Sequence, residues 1–250
     1  MSIDVVDLRD FYSHRLGTVA RHFIGRGIRS RWVDTRGQRV LGIGYPGPYL
    51  GLFREEAERC LAFMPATQGV VKWPTARPTL SALVEEFDLP LPDAAVDRVL
   101  LVHALEMSQD ATALLREIWR VLASGGQLLA VVPNRRGLWA RMDTTPFGHG
   151  RPYSRSQITQ LLREAWFTPV AWSEALYVPP FQRTWFLRSA IAWERAGATI
   201  SAPFAGVHIV EATKQVYRAI PAKREKRRRL VPALKPALAP SPSSAARQAQ

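Results

Sequence analysis

The sequence predicts an α/β fold, an open and mostly parallel sheet flanked by helices, and three observations carry that expectation. Val99, Leu100, Leu101 and Val102 form a continuous apolar run, the pattern of a strand buried on both faces. An amphipathic stretch follows in "DATALLREIWRVLASGG", with Leu114, Leu115, Ile118, Trp119 and Leu122 on one stripe. Directly after it, "QLLAVVPN" is a second buried strand. Strand, helix and strand at these spacings make a parallel βαβ unit with a right-handed crossover.

The other elements follow in order. Phe11, Leu16, Val19, Phe23, Ile28 and Trp32 recur at helical spacing, so residues 5 to 33 read as one or two helices covering the core. Arg9, Arg15, Arg21, Arg26, Arg29 and Arg31 punctuate this series and read as a solvated face. A strand is expected over Arg39 to Ile43, and a helix end followed by a second strand over Cys60 to Met64. "PTLSALVEEFDLPLPD" reads as a connection. In the amphipathic helix Asp110 is the expected N-cap, and Gly125 and Gly126 are expected to stop it. Ser154 with Gln157 three residues on opens a helix over 154 to 166, and "TPVAWSEALYV" reads as a closing strand or pair of strands. Beyond Pro180 an amphipathic helix is expected with Phe186, Leu187, Ala190, Ile191 and Trp193 on its apolar side. Four regions result: a helical cap over 1–35, a sheet domain over 36–180, a helical extension over 181–221 and a basic tail over 222–250.

Composition sets limits on function. A chain of 250 residues, 47% hydrophobic, can bury one sizeable core. Its single Cys60 cannot form an intrachain disulfide and points to a reducing compartment, with the cysteine packing as a small hydrophobe. No metal site is expected. Without an apolar run long enough to cross a membrane, and with Asp4, Asp7 and Asp10 near the start, the chain reads as soluble and cytoplasmic. Of the net charge of +13, +7 falls in residues 221 to 250, which hold eight Lys or Arg and five prolines. Such a tail reads as disordered, either solvated or in contact with an anionic surface, nucleic acid or lipid.

In open α/β sheets ligands bind at the carboxyl ends of the strands, which here places Gly44 to Tyr49, Pro65 to Gly69, His103 to Glu106 and Pro133 to Gly137 around one cleft. "VLGIGYPGPYL" contains Gly42, Gly44 and Gly47 at G-x-G-x-x-G spacing, but the first two fall within the strand and two prolines stiffen the rest. The turn therefore reads either as a loop that lets a nucleoside or amino-acid moiety approach the main chain, or as a tight strand-to-helix turn.

The run "VEEFDLPLPDAAVDRVLLVHALEMSQDATALLREIWRVLASGGQLLAVVPN" resembles the class I S-adenosylmethionine-dependent methyltransferases, in particular the type 11 group. That group carries an acidic loop, L-P-F-P-D, a strand reaching H-x-L-E, a helix with L-R-E and R-V-L, then G-G and a buried strand. "TPFGHGRPYSRSQITQLLREAWFTP" is similar to a stretch of its bacterial subgroup. The resemblance implies a Rossmann-like, mostly parallel seven-stranded sheet with S-adenosylmethionine in the cleft. It places Gly44 and Gly47 at the donor's amino-acid part, with Gly42 and Tyr45 as further candidates for contact with the donor, and Glu85, with Glu86 beside it, at the adenine amino group. Gln68 becomes a partial replacement for a missing ribose-binding acid, and His103 and Glu106 fall beside the transferable methyl. Two acids usual in the group are absent: Gly42 stands before the glycine turn, and Met64, Thr67 and Gln68 follow the second strand.

For an O or N nucleophile a base is wanted, and His103, then His149 in "FGHGRPY", are the candidates. Tyr45 and Tyr49 read as sulfonium contacts or as aromatic packing, and Tyr153 as a substrate contact or a cap. Trp166, Trp172, Trp185 and Trp193 read as packing residues. The expected function is methyl transfer to a small-molecule acceptor. The alternatives are a catalytically degenerate methyltransferase-like protein that binds a protein partner, and a nucleic-acid methyltransferase using the basic tail. An NAD-dependent dehydrogenase fits least, since it too needs the absent acid.

Overall fold

In the computed structural model, residues 3–76, 78–181, 189–200 and 204–215 are described. The expected helix containing Phe186 and Leu187, Trp185 and the basic tail lie wholly or partly outside them. The described residues belong to one unit, spanning residues 1–217.

Two helices open the chain, α1 (Val5–Ser13) and α2 (Arg15–Arg31). The Asp4 carboxylate caps α1 by accepting from the Val6 N–H at 2.9 Å, and His14 alone, in an extended conformation, separates the two helices. The strands are β1 (Arg39–Gly44), β2 (Arg59–Pro65), β3 (Ser81–Val84), β4 (Val96–Val102), β5 (Leu122–Pro133), β6 (Phe167–Ala175) and β7 (Val207–Lys214). A single turn, α3 (Gly47–Leu50), follows β1; α4 (Ala111–Val121), α5 (Arg155–Glu164) and α6 (Ala190–Ile200) complete the helices.

All seven strands join one sheet in the order β3-β2-β1-β4-β5-β7-β6. The five strands from β3 to β5 are parallel, and β7 runs antiparallel to both β5 and β6. Because successive side chains of a strand point to opposite faces, β4 divides its apolar run between two cores. Leu100 and Val102 join Ile24, Ile28 and Trp32 on the α1–α2 side. Val99 and Leu101 join Leu114, Ile118, Ile158 and Leu162 on the α4–α5 side.

Several expectations are corrected. "PTLSALVEEFDLPLPD" is not only a connection, because Ser81–Val84 adds the edge strand β3. The segment before β2 is turns rather than the end of a helix. Gly125 and Gly126 do not stop α4, which already ends at Val121; they lie inside β5, where Gly125 takes φ +73°. On α6 Ala190 is buried, but Ile191 and Trp193 are exposed. The stretch expected as a helical extension contains β7, a strand inside the sheet. The caps read from sequence are present: Asp110 accepts from the Thr112 and Ala113 N–H groups, and Ser154 and Gln157 form a capping box. Cys60 is buried in β2, and burial pushes its thiol up to about 11 against the opposing pull of Arg54.

Helix α4 is tied to the loop before β4 through charge. Glu117 accepts from Arg120 at 2.6 Å and from the Leu89 N–H at 2.8 Å, and Arg120 also donates to the Leu91 carbonyl at 2.8 Å. The Arg120 hydrogen bond holds the Glu117 carboxyl below its ordinary value, against burial. A carboxyl with a lowered folded pKa stabilises the fold above its unfolded value of about 4.3, and that contribution is lost as pH falls through the folded value. Glu117→Gln is therefore expected to reduce urea stability at pH 7 and to narrow its gap to the wild type at pH 3.

Candidate functional site

The carboxyl ends of β1, β2 and β4 meet at one place. Gly44 leaves β1 with φ +91°, a conformation that side chains resist, and the Tyr45 N–H then donates to the Val102 carbonyl at 2.7 Å. A Cβ on Gly44 would collide with that carbonyl and lie 2.9 Å from Ala104 Cβ. On Gly42 it would meet Pro46 Cβ at 2.5 Å, so Pro46 and Leu50 fill the space where a side chain at 42 would go. On Gly47 it would meet the Trp73 indole at 3.2 Å. The close approaches at these three glycines are made by the chain's own atoms.

Opposite the turn stands His103, the first residue after β4, 1% exposed and at φ +52°. Its Nδ1 lies 3.2 Å from Glu106 Oε1, and its Nε2 lies 2.8 Å from the Tyr12 hydroxyl. The Gln68 amide donates to the His103 carbonyl. Tyr49 donates its hydroxyl proton to Tyr12 at 3.0 Å. Tyr12, accepting from Tyr49, has its own proton free for His103 Nε2; the Nδ1 proton of the imidazole then faces the Glu106 carboxylate. The Tyr12 ring stacks on Tyr45 with centroids 5.7 Å apart, and Phe147 lies 4.9 Å from the imidazole.

The three tyrosines are neutral phenols in this setting. Burial raises the Tyr12 hydroxyl well above 10, with Tyr49 adding to the effect, and burial likewise raises Tyr49. Tyr45 is pushed up by burial to about 12. Within this cluster Gln68 Oε1 and Glu106 Oε2 are buried acceptors without a hydrogen-bond partner. The Gln68 orientation follows from its bond, since only the amide NH2 can donate to a carbonyl.

The remaining sequence candidates lie around this cluster. Glu86 is buried, and burial pushes its carboxyl up while the Ser108 hydroxyl and the Gln109 N–H pull it down. Glu85 is exposed and its backbone bridges to Asp88. His149 Nε2 donates to the Asp143 carbonyl at 2.9 Å. With Asp7, Phe11, Asp143 and Pro146 it lines a cavity of about 360 Å³ beside α1. Neither Glu85 nor His149 hydrogen-bonds to the His103 cluster. Tyr153 donates to the Leu105 carbonyl at 3.2 Å, bracing the loop after β4. Trp166 is exposed, edge-on to Trp119 and beneath the Arg116 guanidinium. Among the described residues no group of three or more His, Cys, Asp or Glu is arranged to hold a metal ion.

Sequence reasoning missed Tyr12. The available signal was the spacing of Val5, Leu8 and Tyr12, which is the buried stripe of α1.

A Rossmann-like sheet with an antiparallel seventh strand inserted beside β5, and a cleft at the ends of β1 and β4, is the architecture of the class I methyltransferases. Residues 24–130 match the family model described as Methyltransferase domain. A probable S-adenosylmethionine-dependent methyltransferase of Mycobacterium tuberculosis is 40% identical over 86 residues, covering 34% of this chain and 31% of that protein. One from Mycolicibacterium smegmatis is 39% identical over 82 residues, 32% of each chain. The aligned stretch thus spans about a third of the length of these curated relatives. Among solved structures, a Thermotoga maritima methyltransferase described as a possible histamine N-methyltransferase aligns with a TM-score of 0.59 at 17% identity, over 84% of this chain and 96% of that one. A (4+2)-cyclase aligns with a TM-score of 0.52 at 21% identity, over 78% and 81%. At these identities the likeness shows the fold.

Proposed function

We propose that the protein is a cytoplasmic S-adenosylmethionine-dependent methyltransferase acting on a small-molecule acceptor. The observation that carries this reading is His103. It sits at the carboxyl end of β4, its Nδ1 faces Glu106, and its Nε2 meets the hydroxyl of Tyr12, whose ring stacks on Tyr45 in the glycine turn. The donor's fit is tested by the two orphaned acceptors, Gln68 Oε1 and Glu106 Oε2, because buried acceptors of this kind match a ligand offering hydroxyl and ammonium donors. Gln68, the Gly44–Gly47 turn, Tyr45, Glu85 and Glu86 would hold the donor.

When bound, the donor supplies an electrophilic sulfonium methyl and carries its own leaving group. The chain's part is to position the nucleophile and accept its proton. His103 Nε2 takes that proton, and the imidazolium is stabilised by the Glu106 carboxylate on its other nitrogen. The acceptor enters past the His149 loop. Titration of the purified chain with S-adenosylmethionine and S-adenosylhomocysteine, with NAD as control, tests the reading. Micromolar binding of the first two alone is expected, and Glu85→Ala should weaken it roughly tenfold or more, the worth of a hydrogen bond to a charged group. Binding unchanged in Glu85→Ala would remove Glu85 from the site.

A second reading is favoured by the packing of Gly42 against Pro46 and by Tyr12 in the cleft: a methyltransferase-like protein that has lost catalysis and binds a protein partner. It requires that neither adenosyl ligand bind at millimolar concentration. The basic tail adds a contact to an anionic polymer or lipid surface, which would weaken steeply with salt and vanish on deletion of residues 222–250.

A further inference from the structure

Tyr12 occupies the centre of the cleft that the donor reading requires to be open. Its ring lies on Tyr45, the residue that follows Gly44, and its hydroxyl is bonded to the imidazole nitrogen that the mechanism assigns to the acceptor's proton. A sulfonium donor resting on the Gly44–Gly47 turn and facing His103 would have to share this volume with a phenol ring. Both cannot be present.

The element that carries Tyr12 is a short helix of its own. Helix α1 is nine residues long, has its own N-cap in Asp4, and joins α2 through one extended residue, His14. At its start, the Val5 N–H donates to the Gln68 carbonyl at 2.8 Å. At its end, the Tyr12 hydroxyl makes the two bonds to His103 and Tyr49. Between them Leu8 is fully buried, so the closed position is held by apolar contact as well as by these polar ends.

The closed arrangement is also incompletely satisfied. Gln68 Oε1 and Glu106 Oε2 remain buried without a donor, and Gln68 is the residue that α1 contacts through Val5. Leaving such an acceptor unpaired is unfavourable, because the group has given up water and gained no donor. The cost falls on the closed state and is relieved when a ligand's donors reach the same atoms.

From these three observations we infer that Tyr12 is an internal occupant of the donor cleft and α1 the gate that carries it: the donor binds only as Tyr12 leaves His103. The inference rests on the donor reading of the cleft and adds to it a competition within the chain. Apparent affinity is the intrinsic affinity reduced by the fraction of molecules with α1 displaced, so weakening the Tyr12 contacts raises it.

Calorimetric titration of S-adenosylhomocysteine into the wild type, Tyr12→Phe and Tyr12→Ala, paired with amide hydrogen exchange over residues 4–14, tests this. Tyr12→Phe keeps the ring and deletes both hydroxyl bonds, and is expected to bind about tenfold more tightly; Tyr12→Ala should bind more tightly still. In the wild type, saturating ligand should speed exchange in α1. Damage to the fold would lower affinity, so a gain separates gating from a structural role. Equal or weaker binding by both variants, with α1 exchange unchanged by ligand, would overturn the gate and leave the donor reading standing. No binding by any of the three proteins at millimolar ligand would overturn the donor reading and the gate with it.

Discussion

Gly44→Ala is expected to destabilise the chain by about 2 to 5 kcal/mol in urea unfolding. About 1 to 2 kcal/mol comes from holding a Cβ in the left-handed region, and about 1 to 3 from forcing it into a packed position. The obstacles are the Val102 and His103 carbonyl oxygens and Ala104 Cβ, mostly main chain, which cannot rotate aside. Gly37→Ala is the control: its φ is +68°, but nothing lies within 4 Å of the added carbon. It should lose only the backbone part. If the two variants unfold at the same urea concentration, the β1 turn is not wedged against β4 as described, and its glycine is there for a ligand instead.

The second large effect is on chemistry. His103→Asn is expected to lower kcat by about 10² to 10⁴, the usual worth of a positioned base. Asparagine is the suitable replacement because it tolerates the φ of +52° that most residues would resist. Donor affinity measured by titration should not fall, because the variant also loses the bond that holds Tyr12 in the cleft, which separates loss of the base from loss of the site. A kcat within a few-fold of the wild type would move proton acceptance elsewhere, with His149 the first residue to examine by the same substitution.

Elements with strong periodicity were legible from sequence alone. The run from Val99 to Val102, the stripe of Leu114, Leu115 and Ile118, and the Ser154–Gln157 cap each state their structure locally, because burial on one or both faces leaves a pattern within a few residues. Strand β3 was hidden because it is a four-residue edge strand with Ala82 and Leu83 exposed, so no buried pattern marks it. The Gly125–Gly126 pair misled because glycine serves a helix end and a strand irregularity equally well. In β7 the signal was present, an apolar run through Val207, Ile209, Val210 and Ala212, but neighbouring helical expectations masked it.

The site divides in the same way. His103, Glu106 and Gln68 are named by their places after strands, which topology alone supplies. The partnership between Tyr12 and His103 spans 91 residues and depends on where α1 comes to rest, which no local pattern encodes. The filling of the Gly42 position is more local, since Pro46 and Leu50 lie four and eight residues away; it shows why the family's usual acid has no room here.

The insertion of β7 between β5 and β6 bears on how the molecule is completed. Strand β6 pairs with β7 and not with β5, so the sheet cannot take in residues 167–175 until residues 207–214 are available. A chain growing from its amino end would therefore carry two open strand edges, on β5 and on β6, until its last described strand emerges. Shortened at residue 206, the protein would keep most of its methyltransferase-like half and present those two edges to other chains, turning a missing carboxyl segment into a route to aggregation.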